Sequence, residues 1–74
     1  MPIVWKICED GSFVAGDTVT GVTSYAYPTS LRVAHAKRNP EREAKEMLAN
    51  ERKEDHETPY GLQYDKHNWE RLNG

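Results

Sequence analysis

A chain of 74 residues forms at most one small domain, and a domain of this size has a thin hydrophobic core. Hydrophobic residues make up 36% of the chain and charged residues 30%, with a formal net charge of −2. The length excludes a TIM barrel and a doubly wound nucleotide-binding domain, and the balanced charge argues against a dedicated nucleic-acid coat.

Cysteine content and hydropathy indicate the compartment. Cys8 is the single cysteine, so the chain cannot form an internal disulfide. The first residues show no basic and apolar leader, and no apolar run approaches the 18 residues that a membrane span needs. We therefore expect a cytoplasmic protein without a membrane partner.

The first block of the chain, residues 1–28, is typical of strands. Apolar residues alternate from Ile3 to Ile7, and Asp10-Gly11 is a strong signal for a two-residue hairpin turn. Such a turn predicts the cross-strand pairs Glu9–Ser12, Cys8–Phe13, Ile7–Val14 and Trp5–Gly16. In that register apolar residues are divided between both faces of the sheet, so the pattern does not indicate burial on one side.

A third strand is predicted after a second turn. Gly16-Asp17 is the turn signal, and Thr18 to Tyr27 contains the β-branched and aromatic residues of a strand. Val19 and Val22 are out of phase in this segment, so we expect a bulge at Gly21.

The middle of the chain predicts a helical region. Leu31 to Arg38 fits a helix or a strand, and its alanines favour a helix with Thr29 or Ser30 as N-cap. Asn39-Pro40 then starts a second helix. Its predicted core-facing residues are Ala44, Met47 and Leu48. Its predicted i,i+4 ion pairs are Glu41–Lys45 and Arg42–Glu46. Beyond residue 50 the helix lacks large apolar residues and is expected to fray.

Residues 58–74 are interpreted as a C-terminal tail of a domain that spans residues 1–57. Tyr60, Leu62 and Tyr64 alternate as a short strand would, whereas the spacing of Trp69 and Leu72 suggests one helical turn. The predicted fold is α+β: a three- to four-stranded antiparallel meander with one C-terminal helical region and a mobile tail that is partly disordered or adds a strand. A small barrel with a C-terminal helix is the alternative.

Catalytic and metal sites are poorly supported. Cys8 could pair with His35, His56 or His67, but its place within a strand favours a buried thiol. A metal site could draw on His56, Glu57, Asp65 and His67, but the two histidines are too widely spaced for a typical zinc site. We therefore predict no catalytic residue, no metal and no cofactor, and a protein that is not an enzyme.

A basic stripe is predicted along the helical region. At 100° per residue its cations fall within one arc, with the acidic residues at its flanks. Such a stripe could bind a phosphate backbone or an acidic partner, although a solvated helix face is the more ordinary explanation. The residues of this predicted surface are Arg38, Arg42, Lys45, Arg52 and Lys53.

Aromatic residues exceed what one thin core can readily bury. Tryptophan and tyrosine often anchor protein interfaces, so these side chains predict a protein-binding surface. The alternative is that they cover the protein's own sheet. The residues are Trp5, Tyr25, Tyr27, Tyr60, Leu62, Tyr64 and Trp69.

By elimination, the sequence predicts a small non-enzymatic protein-binding regulator. Short chains without a catalytic constellation are often adaptors or inhibitors, including phage- or plasmid-type proteins that act on a larger host complex such as a polymerase. The alternative is a nucleic-acid-binding module that uses the basic stripe. The sequence leaves the oligomeric state open.

Overall fold

A computed structural model describes residues 2–52 and 59–73 of the chain, without the side chains of residues 52 and 59–65. Three strands are followed by three helices in this part of the chain. The elements are β1 (Ile3–Ile7), β2 (Phe13–Asp17), β3 (Thr23–Ala26), α1 (Leu31–Arg38), α2 (Pro40–Arg52) and α3 (Pro59–Asn73). The strands form an antiparallel sheet in the order β1-β2-β3. The prediction of an α+β meander is confirmed. Because β1 and β3 do not pair, the alternative of a closed barrel is wrong for this part of the chain.

The first hairpin has a three-residue loop, so the predicted two-residue turn is wrong. The Cys8 amide donates to the Ser12 carbonyl at 2.8 Å, and Gly11 adopts a φ of +92°. The Asp10 carboxylate also accepts from the Ser12 amide and hydroxyl, which stabilises the longer loop. The observed pairs are Ile7–Phe13, Lys6–Val14, Trp5–Ala15, Val4–Gly16 and Ile3–Asp17.

This one-residue difference in register reverses which β2 residues share a face with β1. Phe13 and Ala15 now lie on the same face as Ile3, and all three belong to or pack against one apolar cluster. The apolar residues Ile3, Phe13 and Ala15 therefore lie together on one face, whereas Val14, which is also fully buried, lies on the other.

The second turn lies later than predicted. Asp17 ends β2, and its carboxylate accepts from the amides of Val19 and Thr20 at 2.8 and 3.2 Å. Gly21 closes the turn with a φ of +79°, and its amide donates to the Asp17 carbonyl. The predicted turn at Gly16-Asp17 and the bulge at Gly21 are wrong, and the third strand is Thr23–Ala26 rather than Thr18–Tyr27.

Helices α1 and α2 cover the apolar face. Ser30 caps α1 by accepting from the Arg32 amide, and Asn39 accepts from the Arg42 amide at the start of α2. These starts confirm the two predicted helices. The buried cluster between them and the sheet consists of Phe13, Ala15, Ala26, Val33, Ala36, Ala44, Met47 and Leu48.

Helix α3 covers the opposite face. A Cβ at Gly16 would lie 2.9 Å from both Leu72 Cδ1 and Trp69 Cη2, so the helix packs closely on β2. Tyr60, Leu62 and Tyr64 belong to α3, so the strand predicted there is wrong, and a helix of 15 residues stands where one helical turn is predicted at Trp69 and Leu72. The physical reason is that the second sheet face also needs cover, and the three-residue spacing of Trp69 and Leu72 provides it from a helix.

Some predictions fall outside the described residues. They are the fraying of the helix after Arg52, the domain boundary between residues 57 and 58, and any role of Lys53, His56 or Glu57. The mobility of the tail stays a prediction. Within the described ranges, no helix is long and apolar enough to cross a membrane.

Candidate functional site

The outer edge of β1 is the most distinctive exposed feature of the described chain. Two backbone hydrogen bonds that flank β1 show which of its residues bond to β2. The Cys8 amide donates to the Ser12 carbonyl, and the Thr18 amide donates to the Pro2 carbonyl, each at 2.8 Å. Antiparallel strands alternate between bonded and non-bonded pairs, so Val4 and Lys6 direct their backbone groups toward β2.

The other three residues of β1 direct their backbone groups away from β2. Ile3, Trp5 and Ile7 therefore present amides and carbonyls to the open edge, where no further strand pairs among residues 2–52 and 59–73. A row of this kind can bond the backbone of an added strand.

The side chains of this edge are apolar and partly exposed. Val4 is 39% exposed, Trp5 38% and Ile7 44%. Trp5 and Ile7 lie on the face that α1 and α2 cover, whereas Val4 lies on the α3 face with Gly16. Lys6 is the one charged residue of β1. Lysine and proline protect many sheet edges, and here Lys6 and Pro2 lie among these exposed apolar side chains.

On the α3 face, the side chains of β3, the strand at the opposite edge, contact α3. The Asn68 amide group donates to the Thr23 hydroxyl at 3.0 Å, and the Arg71 guanidinium lies 4.6 Å from the centre of the Tyr25 ring. The two edge strands therefore differ in side-chain cover: α3 contacts side chains of β3, whereas Val4, Trp5 and Ile7 of β1 are partly open to solvent. Within the described residues, neither strand pairs on its outer side.

The structure distributes the predicted aromatic surface over several places. Trp69 donates its indole N–H to the Gly21 carbonyl at 3.0 Å and packs against Gly16, so it covers the protein's own sheet. Tyr27 follows β3 and is 60% exposed. The side chains of Tyr60, Leu62 and Tyr64 lie outside the described part of the chain. Of the predicted set, Trp5 is the member that the structure places on the open edge.

Acidic neighbours balance the described part of the basic stripe. Arg42 lies 3.4 Å from Glu46, and Lys45 lies 3.6 Å from Glu41, as the i,i+4 spacing predicts. The groove at the α1–α2 junction is lined by His35, Arg38, Asn39, Arg42, Glu43 and Glu46, and Glu43 also pairs with Arg32 at 3.1 Å. The flanking carboxylates reduce the field that this surface offers to a phosphate backbone.

Cys8 lies half-buried in a shallow groove on the α3 side of the sheet. Its neighbours in this groove are Lys6, Glu9, Asp10 and Arg71. His35 lines the groove at the α1–α2 junction instead, and His67 lies 3.8 Å from Glu70, so neither histidine lines the Cys8 groove. Within the described residues, no group of three potential ligands is placed to hold a metal ion.

One ionisable group in this groove is perturbed. The Ser12 hydroxyl donates to the Asp10 carboxylate at 2.6 Å, and together with the Ser12 amide it lowers the pKa of Asp10 below the usual 3.8. The Arg71 guanidinium acts in the same direction. The group is ionised at neutral pH and stabilises the hairpin loop.

Sequence reasoning missed the outward phase of β1 because that phase depends on the loop length. The available signal was Asp10-Gly11-Ser12, in which an aspartate can accept from the serine two residues later. Comparisons give no relative from which a site could be inferred: no protein-family model matches the chain, and neither curated proteins nor solved structures give a match.

Proposed function

We propose that this chain is a non-enzymatic, protein-binding regulator that holds its partner by accepting a strand on the outer edge of β1. The observation that carries the proposal is that Trp5 and Ile7 combine outward-facing backbone groups with exposed apolar side chains on one five-residue edge strand. Added strands gain affinity from backbone hydrogen bonds and specificity from alternate side chains.

The chemistry of the edge describes the partner segment. It is an extended stretch with apolar residues on the side of Trp5 and Ile7, where the exposed surfaces of these two side chains offer contact area. On the other side, Lys6 favours an acidic residue. An extended segment of a larger cytoplasmic complex meets these requirements, which fits an adaptor or inhibitor.

The nucleic-acid alternative has less support. Two of the stripe's cations, Arg42 and Lys45, each lie within 4 Å of a carboxylate, and the chain's net charge is negative. Binding to a phosphate backbone relies on several unneutralised cations and falls steeply with salt.

The test compares capture from a host lysate, with and without nuclease treatment, by the unchanged protein and two variants. Ile7→Lys places a charge on the open edge, whereas Leu31→Lys places the same charge at the start of α1, where the side chain is already 79% exposed. We expect Ile7→Lys to lose the captured protein and Leu31→Lys to keep it, with equal far-UV circular dichroism.

A third variant separates the two functions. Arg42→Gln with Lys45→Gln removes two stripe cations and leaves β1 unchanged. We expect this variant to keep the partner in moderate salt. Capture that disappears with nuclease or with this double variant, and that survives Ile7→Lys, would favour the nucleic-acid alternative and exclude the proposed function.

A further inference from the structure

Asp10-Gly11 in the first hairpin loop is a reactive dipeptide. Asp10 is exposed, and Gly11 has no side chain to hinder attack by its own backbone nitrogen on the Asp10 carboxyl carbon. We infer that this dipeptide is a site of isoaspartate formation, which the folded loop protects through hydrogen bonds with Cys8 and Ser12 and which reacts when those bonds open. The inference goes beyond the proposed function and does not depend on a partner at β1.

The reaction needs no oxidant, metal or cofactor. The Gly11 nitrogen attacks the side-chain carboxyl carbon of Asp10, loses its proton and expels one water molecule, which closes a succinimide ring. Water then opens this ring at one of its two carbonyl carbons. Attack at the side-chain carbonyl restores aspartate, whereas attack at the backbone carbonyl leaves Gly11 joined to the side-chain carbon as isoaspartate. The water lost in the first step is regained in the second, so the composition of the chain is unchanged.

The folded loop restrains the attacking nitrogen. The Gly11 amide donates to the Cys8 carbonyl at 3.0 Å, and the Cys8 amide donates to the Ser12 carbonyl at 2.8 Å across the same loop. The nitrogen must lose its proton to react, and a proton that is hydrogen-bonded to Cys8 is less readily removed than one exposed to water. Since Gly11 also holds a φ of +92° within this bonded loop, we expect attack to require local opening.

The same loop restrains the carboxyl group. The Asp10 carboxylate accepts from the Ser12 hydroxyl at 2.6 Å and from the Ser12 amide at 2.9 Å. These bonds hold the group toward Ser12 and, with the Arg71 guanidinium, lower the pKa of Asp10 below 3.8. A carboxylate reacts more slowly than a carboxylic acid, because a hydroxyl group leaves more readily than a negatively charged oxygen. Both reacting groups of the dipeptide are therefore hydrogen-bonded elsewhere while the loop is closed.

The product does not restore the closed loop. In isoaspartate the chain runs through the former side-chain carbon, so the loop backbone gains a methylene. The carboxylate that accepts from Ser12 becomes a neutral backbone carbonyl, and charge-assisted hydrogen bonds are stronger than neutral ones. We therefore expect the isoaspartate form, purified by chromatography, to unfold at a lower urea concentration than the unmodified chain.

The first experiment counts ring openings at neutral pH in water enriched in heavy oxygen. Each opening leaves one heavy oxygen on Asp10, whichever product forms, and peptide mass spectrometry locates it. Ser12→Ala removes the hydroxyl bond to the carboxylate and should increase the labelling rate at least about tenfold, the equivalent of one hydrogen bond to a charged group. Thr20→Ala is the matched control, because it removes a hydroxyl that accepts from the Val22 amide in the other turn at 3.3 Å. It should label at the wild-type rate.

The second experiment uses only the wild type, so it does not depend on how Ser12→Ala folds. The labelling rate at Asp10 is measured in buffer and in urea, and hydrogen exchange of the Gly11 amide is measured by NMR under the same two conditions. Attack and exchange both need the Gly11 N–H to leave the Cys8 carbonyl. Folding should therefore slow labelling at least as much as it slows exchange of this amide.

Several outcomes would overturn the inference. They are labelling of Asp10 as fast in buffer as in urea, labelling that folding slows less than exchange, and a folded Ser12→Ala chain that labels no faster than Thr20→Ala. A urea sample without label at Asp10 would show that the dipeptide is not reactive and would overturn the inference as well. Each of these results leaves lysate capture through β1 unaffected, so the proposed function is tested separately.

Discussion

On the face covered by α1 and α2, the sheet meets short and medium apolar side chains, whereas on the face covered by α3 it meets a tryptophan, a leucine and a polar network. The first face buries Phe13 and Met47 almost completely. The second face buries Val14 and also Asn68, whose side-chain amide donates to the Thr23 hydroxyl. One layer depends mainly on apolar area, and the other on a few specific contacts.

This difference shows how a small domain can cover both sides of a three-stranded sheet. Apolar burial tolerates approximate shapes as long as volume is conserved. A buried amide is tolerated only when its partners are in place, because an unpaired polar group costs desolvation energy that nothing offsets. We therefore expect substitutions on the first face to depend on side-chain volume, and those on the second to depend on geometry and pairing.

The largest effect is expected from Phe13→Ala on the first face. The phenyl ring is fully buried among residues of β2, α1 and α2, and its removal leaves a cavity that these elements cannot fill. The expected loss is about 3–5 kcal/mol of unfolding free energy, a large part of the total for a small domain. Urea unfolding followed by circular dichroism measures it. An equal loss of unfolding free energy in Phe13→Leu would mean that stability on this face does not depend on side-chain volume.

Asn68→Ala is expected to have the next largest effect. The Asn68 side chain donates to Thr23 and accepts from Arg71 at 3.2 Å, so the change removes both bonds, one of them to the buried Thr23 hydroxyl. We expect a loss of about 1–3 kcal/mol.

A double-mutant cycle shows whether pairing is the cause. Thr23→Val removes the hydroxyl that Asn68→Ala would leave without its donor. The double variant should therefore lose less stability than the sum of the two single changes. Additive losses would mean that the two side chains act independently and that this face is not a paired polar network.

Gly16→Ala is expected to come third. The added methyl would meet Leu72 and Trp69 at 2.9 Å, and overpacking of this kind costs about 1–3 kcal/mol. Because the Leu72 side chain can move, we expect the lower end of this range. Leu72→Ala in the same chain should recover part of the loss. An indole N–H signal of Trp69 that does not shift would show that α3 accommodates the methyl without moving the bond to Gly21.

The two faces also differ in how far the sequence predicts them. The helices at Leu31–Arg38 and Pro40–Arg52 follow from caps and from the Ala44, Met47 and Leu48 stripe, since helix starts and apolar spacing are local signals. Helix α3 was mistaken in part for a strand because Tyr60, Leu62 and Tyr64 alternate over a short segment, a pattern that a helix also allows. The packing of Trp69 and Leu72 against Gly16, a contact between residues distant in sequence, favours the helix over the strand.

The candidate edge illustrates the same limit. The sequence predicts a strand from Ile3 through Cys8 up to the turn, whereas β1 ends at Ile7, and Trp5 is among the predicted binding residues. Which backbone groups of β1 face outward depends on one residue of loop length, and Asp10-Gly11 fits a two-residue or a three-residue loop. The hydrogen bonds from Ser12 to the Asp10 carboxylate stabilise the three-residue loop and therefore the observed register. The alternation of apolar residues along β1 does not indicate that register.

The smallest effect is expected from protonation of Asp10, which ties the hairpin loop to the α3 side of the sheet. The Ser12 hydroxyl and amide, with the Arg71 guanidinium, lower the pKa of Asp10 below the value of 3.8 that applies in the unfolded chain. Since the folded state holds its proton less tightly than the unfolded state, this contribution to stability is present above the unfolded pKa. It is lost as the pH falls through the folded pKa.

The difference in unfolding free energy between the wild type and Asp10→Asn should therefore be constant above about pH 5 and shrink below it. Ser12→Ala removes the strongest of the three contacts and should raise the Asp10 pKa toward 3.8. Urea unfolding at several pH values measures the free-energy difference, and an NMR titration of the Asp10 carboxyl measures the change in pKa. A wild-type pKa at or above 3.8 would mean that the serine bonds do not stabilise the charged form, and the three-residue loop that directs Trp5 outward would then need another explanation.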